Sequence, residues 1–262
     1  MCFRLQNIYS TKMTITLSYQ RFVIIGTART GSLLLWSYLN SHPDILCVRG
    51  VYGSAHKINF GKFYPDFPEE YHSPELVKAR NQHPIEFLKE YVFKIYSNKY
   101  KAVGFKYFYD HDRHLINKDK LIEYFSKNKD IKFIHVKRGN LLAVLYSYNR
   151  AISQHKWTSS NPDFQTKISI SECENHFDYI GEQQKIFDEL FTNRTFEIIY
   201  EDFVNRTTQT LKELQNFLET PPATLHTETK KNDNGNLSEM ITNYEQLKHH
   251  FKQTKYNIYF DE

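Results

Sequence analysis

The chain has 262 residues, 40% of them hydrophobic, and a formal net charge of +4. That is apolar mass enough for one large core, and a charge that permits an anionic ligand without arguing for nucleic acid. Three cysteines, Cys2, Cys47 and Cys173, stand without paired spacing, which excludes a disulfide framework and a cysteine-rich zinc site and suits a reducing, cytoplasmic setting. No run approaches the ~18 apolar residues of a transmembrane helix, and the N-terminal segment lacks the apolar core of a secretory signal.

Residues 1–20 read as an N-terminal extension, and 21–262 as a single domain. "RFVIIG" (21–26) predicts a buried strand, with a helix from about Gly31 to Asn40 behind it. "SHPDILCV" (41–48) predicts a turn at Pro43 and a second short strand. Residues 53–83 mix Gly, Pro and aromatics without a period, and are expected to form a long loop of the kind that carries function. A helix is expected over 84–96, then a strand over "KAVGFKYF" (101–108), a helix over 121–127 and a strand over "IKFIHVKR" (131–138). A further helix runs from Asn140 to about Ile152, followed by a polar stretch, 153–170. "SECE" (171–174) reads as a capping box opening a helix to about Phe191. "FEIIYEDF" (196–203) predicts a fifth strand, 207–219 an amphipathic helix stopped by Pro221 and Pro222, and 237–251 a last helix. Strands alternating with helices define a three-layer α/β domain around a parallel sheet of about five strands.

The stretch "FVIIGTARTGSLLL" (22–35) carries the chemistry. A strand ends at Gly26, and the chain turns through Thr27, Ala28, Arg29 and Thr30 into a helix at Gly31 and Ser32. Backbone N–H groups at a helix N-terminus hold anions, Arg29 adds a forked cation, and Thr27, Thr30 and Ser32 offer hydroxyls. The glycine spacing is that of a triphosphate loop, but the lysine after the second glycine is missing and no acid closes a neighbouring strand to hold Mg²⁺. The site therefore reads as built for an anion without a metal. "FIHVKRGNLLAVLYSYNRA" (133–151) repeats the logic. Arg138 stands at a strand's C-terminal end, where open α/β sheets bind ligands, and Ser147 lies about two turns into the next helix. The two motifs together suit a nucleotide with an anion at each end. Glu201 and Asp202, adjacent on the expected strand, would face opposite ways and are read as capping or ion-pairing residues.

This pair of loops resembles the 5′- and 3′-phosphate motifs of the sulfotransferases that use 3′-phosphoadenosine 5′-phosphosulfate (PAPS), and most narrowly the bacterial carbohydrate enzymes of the nodulation-factor and trehalose type. "SHPDI", "VGFKYFYDH" (103–111), "YEDF" (200–203) and "LSEMITNYEQL" (237–247) follow in that family's order, so the resemblance spans about residues 20–255. It implies a sulfotransferase fold of P-loop NTPase type and sulfuryl transfer from PAPS to a hydroxyl of a carbohydrate or other small acceptor, with no metal. Gly26 to Ser32 would bind the 5′-phosphosulfate, Arg138 and Ser147 the 3′-phosphate, and Lys231 would close over the nucleotide. Lys106 would offset charge on the bridging oxygen. Nodulation-type relatives carry a Glu in "HPDI-x-C-x-x-E"; here that position is Gly50. The base then falls to His56, His111 or Asp110, histidine being the side chain that titrates near neutrality. Two other readings stay open: a non-catalytic protein of the same fold, suggested by Gly50, and a P-loop nucleotide kinase, which the missing lysine opposes.

Overall fold

The computed structural model describes residues 18–65, 73–116, 118–155, 164–229 and 236–260. Five parallel strands form one sheet: β1 (Gln20–Gly26), β2 (Ile45–Val48), β3 (Ala102–Phe108), β4 (Lys132–Lys137) and β5 (Thr195–Ile199), in the order β2-β3-β1-β4-β5. Parallel strands need crossovers, and the helices that supply them cover both faces. Alternation along β1 divides the core. Val23 and Ile25 join the cluster on one face, and Phe22 and Ile24 the cluster on the other, all four fully buried.

The first face is the aromatic one. Phe133 of β4 stacks on Phe191 at 3.8 Å between ring centres, at the end of the long helix α6 (Ile170–Phe191). A buried polar relay crosses the same side. The Tyr109 hydroxyl meets His135 Nε2 at 2.5 Å, His135 Nδ1 meets Asp188 at 2.8 Å, and Lys137 reaches the other Asp188 oxygen at 2.7 Å. Burial and Lys137 pull His135 down to about 4, so the ring is neutral and satisfied at both nitrogens.

Most expected elements are present, and the departures have local causes. The capping box of α6 is Ser169 with Glu172, two residues before the expected pair; Glu172 N donates to Ser169 Oγ at 3.2 Å and Ser169 N to Glu172 at 2.7 Å. The fifth strand stops at Ile199, and Tyr200–Asn205 form a short helix, α7, so Glu201 and Asp202 are helical rather than opposed on a strand. Part of the expected long loop is helical: α2 (Pro74–Gln82) starts at Ser73, whose hydroxyl caps Leu76 N at 3.1 Å. The next helix is short, α3 (Pro84–Phe87), and widens into a π-turn over Leu88–Val92. The C-terminal helix is two, α9 (Leu237–Met240) and α10 (Tyr244–Phe251), divided where Ile241 pairs with Thr166. The remaining helices are α1 (Ser32–Asn40), α4 (Lys118–Lys127), α5 (Leu141–Ser153) and α8 (Thr207–Phe217). No helix among the described residues is long and apolar enough to cross a membrane.

Candidate active site

β1 and β4 lie side by side at the centre of the sheet, so the loops leaving their C-terminal ends share one crevice. The first loop is held in an unusual shape. Arg29 has φ 69 and Gly31, the cap of α1, has φ 83. A left-handed backbone suits glycine, and at position 31 a side chain is excluded anyway, because the Tyr200 ring fills the space where its Cβ would be. No side chain caps α1. Its first N–H groups, with their partial positive charge, are left to an outside acceptor. Gly26 lets the loop leave β1 against the Val136 carbonyl, 2.5 Å from where a Cβ would stand.

The two motifs, more than 100 residues apart in sequence, are bonded to each other. Arg29 Nε donates to Ser147 Oγ at 2.9 Å, and an Arg138 guanidinium nitrogen donates to the Arg29 carbonyl at 3.4 Å. Ser147 is placed by α5, whose cap, Asn140, accepts from Ala143 N at 3.0 Å. Arg138 lies over the Tyr200 ring at 5.2 Å and pairs with Glu201 at 3.5 Å. Glu201 also accepts from Gly139 N at 2.9 Å, so the ion-pairing role expected of it is present although the strand is not. Burial lowers the pKa of Arg29, and the charges of Arg150 and Arg138 lower it further. Three guanidinium groups gathered this way repel one another, and an anion among them relieves it. Arg150, fully buried one turn beyond Ser147, has no counterpart among the expected site residues. Its position at Ser147 + 3, on the same helix face, is the one signal in the sequence that could have pointed to it.

Lys106 enters from β3, next to β1. Its ammonium is buried, donates to Ser32 Oγ at 3.4 Å and sits over the Phe108 ring at 5.0 Å. Burial, with the Arg49 charge, pulls it down to about 7. His111 follows in the turn after β3. Its ring lies against Gly50: a Cβ there would come within 2.8 Å of His111 Cε1, and one on Gly53 within 3.1 Å of Nε2. The imidazole thus fills the space that a side chain at position 50 would need. Burial, with the charge of Lys106, pulls His111 down to about 3, so it is neutral at pH 7. Its Nδ1 is buried without a hydrogen-bond partner among the described residues.

These groups line one cleft of ≈490 Å³, walled by Ala28, Arg29, Gly31, Ser32, Lys106, Asp110, His111, Arg138 and Ser147. Gly26, Thr27 and Thr30 do not line it. Thr30 is buried and its hydroxyl is committed to the Thr27 carbonyl at 2.9 Å, so it shapes the loop rather than offering a donor, contrary to expectation. His56 is exposed and is not among the residues that line this cleft. Lys231 falls outside the described residues. Among the described residues, no group of histidine, cysteine and acidic side chains has metal-binding geometry.

A second wall comes from the start of the 53–83 stretch, expected to carry function, and from the loop just before it. Arg80 of α2, fully buried, donates to the carbonyls of Val51, Ser54 (2.5 Å) and Lys57 (3.5 Å), and to Asn81 Oδ1 at 2.8 Å. Asn81 in turn donates to the Ala55 carbonyl at 3.1 Å. These bonds fix the loop after β2 that bears Gly50, Gly53, Ser54 and Lys57, all at the cleft.

A phosphate-type cradle on a parallel sheet, without the triphosphate lysine, defines a class that the known proteins bear out. The profile of the sulfotransferase family matches residues 21–224, and the chain belongs to that family. Nodulation protein H of Rhizobium tropici is 23% identical over 254 residues, covering 93% of this chain and 94% of that protein. The crystal structure of a sulfotransferase from Alicyclobacillus acidocaldarius shares the fold with a TM-score of 0.50 at 16% identity, over 90% of this chain and 92% of that one.

Proposed function

We propose that this sulfotransferase moves the sulfuryl group of PAPS to a hydroxyl of a carbohydrate or other small acceptor. The observation that carries the donor is the Arg29–Ser147 bond, which joins the two anion sites into one continuous cradle. In this reading the loop amides, Arg29 and Ser32 hold the 5′-phosphosulfate. Arg138 and Ser147 hold the 3′-phosphate, the group that separates this nucleotide from ordinary adenylates, and the buried Arg150 behind them adds positive charge. The carbohydrate acceptor is supported by the similarity to Nodulation protein H along nearly the full length of both chains.

The transfer is an in-line displacement. The acceptor oxygen attacks sulfur, and the bond from sulfur to the bridging oxygen breaks. That oxygen leaves on 3′-phosphoadenosine 5′-phosphate (PAP) with the electron pair. Lys106 and Arg29 offset the negative charge growing there, a contribution that is large in a water-poor site. The acceptor proton goes to His111. A neutral imidazole can take it, and His111 packs on Gly50, where nodulation-type relatives carry a carboxylate. An anionic donor beside Lys106 opposes that lysine's effect on the imidazole, while burial, the larger cause of its low pKa, stays.

Transfer of labelled sulfate from PAPS to chitin oligosaccharides and a panel of other glycans tests the assignment. Product formation that needs no added metal is expected. ATP turnover in place of sulfate transfer would instead favour a kinase.

A further inference from the structure

The donor reading leaves two cations of the cleft without work. Arg49 and Lys57 belong to the loop after β2, on the wall that carries Gly50 and therefore faces His111. Neither takes part in an ion pair among the described residues. Arg49 is half-buried, and its guanidinium lies 4.9 Å from the Trp36 ring centre. Its aliphatic stem fills the space where a Cβ of Gly61 would stand, and Gly61 has φ 83. The Trp36 indole is fixed in turn by its bond to the Cys47 carbonyl at 2.7 Å. Arg49 is therefore held in place before any ligand arrives, and a preorganised guanidinium loses little freedom on binding an anion.

Asp110, the acid of the cleft wall, forms no ion pair with either cation among the described residues, and its charge acts on Arg113 and Tyr179. Arg138, by contrast, already has Glu201. A donor bound along Arg29 and Ser147 accounts for the loop and the arginine cluster but leaves the Arg49–Lys57 wall positive. Arg49, half-buried, is a cation that calls for a negative partner, and the exposed Lys57 adds to the same positive wall.

We infer that the acceptor is an acid: a hydroxylated molecule bearing a carboxylate or phosphate that docks on Arg49 and Lys57 and so presents a hydroxyl to His111. Asn59, Ser54 and Thr229, which share that wall, can hydrogen-bond the rest of it. This inference rests on the donor reading, because it assigns to the acceptor the cations that PAPS does not use.

The test uses the full chain and p-nitrophenyl β-glucuronide, p-nitrophenyl β-glucoside 6-phosphate and the neutral p-nitrophenyl β-glucoside. Each is titrated by calorimetry into protein saturated with PAP. At least one anionic probe is expected to bind about tenfold or more tightly than the neutral one, the scale of one charge-assisted contact. Which of the two wins tells carboxylate from phosphate. Lys57→Gln, at an exposed position, and Arg49→Gln should each shrink the preference while PAP affinity stays within about threefold. Equal binding of the three probes, or no binding of any, overturns the inference while leaving the donor reading intact. So does a loss of PAP affinity with the preference unchanged, since the cations would then belong to the donor. Failure of the wild-type chain to bind PAP overturns both.

Discussion

The two walls of the cleft are built by different means. The donor wall is made from the ends of regular elements: the turn from β1 into α1, the end of β4 and the second turn of α5. Its geometry follows from the parallel sheet, and one side-chain bond, Arg29 to Ser147, closes it. The wall assigned to the acceptor is an irregular loop held from behind by Arg80, whose guanidinium gathers carbonyls up to 29 residues away in sequence. The difference suits the division of labour. A donor common to a family can be bound by backbone at fixed places on the fold, whereas an acceptor that varies is met by a loop that varies freely.

The contrast implies that damage to the donor wall removes binding, that damage around His111 removes turnover alone, and that damage behind the acceptor wall removes stability. The largest effect is expected from Arg29→Ala. It deletes a half-buried cation, assigned here to the bridging oxygen, and the junction with Ser147, and kcat should fall by about 10²–10³-fold, with weaker PAP binding, in a labelled-sulfate assay. His111→Gln should lower kcat by about 10²-fold, the lower end for a general base, yet leave PAP affinity unchanged by calorimetry. A parallel loss of both would place His111 on the donor wall instead. Arg80→Ala should cost roughly 3 kcal/mol in urea unfolding, because it strands several buried carbonyls. Gly50→Ala is a smaller change. It pushes on His111 from 2.8 Å and should reduce kcat about tenfold, the effect of a misplaced catalytic group.

The finest test is pH. Lys106 in the free protein is lowered to about 7, chiefly by burial. Below that pH it is charged and ready for an anion; above it, it is neutral, and a proton must be taken up when PAP binds. PAP affinity should therefore weaken by up to about tenfold per pH unit as pH rises above about 7, until the raised pKa of the complex is passed. Lys106→Met should bind PAP more weakly at neutral pH and lose the slope.

The same contrast explains what could be read from the residues alone. The positions of Gly26, Arg29, Gly31, Arg138 and Ser147 at strand ends and helix starts were legible because they depend on short-range spacing, which the hydrophobic pattern locates. Arg80 and Arg49 were not, because each acts through partners that only tertiary packing supplies, and a lone arginine in a polar stretch carries no period. Tyr200 was missed for a related reason. "FEIIYEDF" is continuous enough to read as a strand, and the turn into α7 that brings Tyr200 onto Gly31 leaves no apolar signature. His111 was one candidate among several. Its contact with Gly50, between residues 61 positions apart, is what distinguishes it from His56.

The central claim is that Arg29 and Ser147 join two anion sites into a single cradle for a nucleotide phosphorylated at 3′ and 5′. Calorimetric titration of the full chain with PAP and with adenosine 5′-phosphate, which lacks the 3′-phosphate, tests it most directly. The cradle predicts that PAP binds at least about 100-fold more tightly, since Arg138 and Ser147 then act on a second dianion. Equal affinity for the two nucleotides, or no binding of PAP, would contradict it.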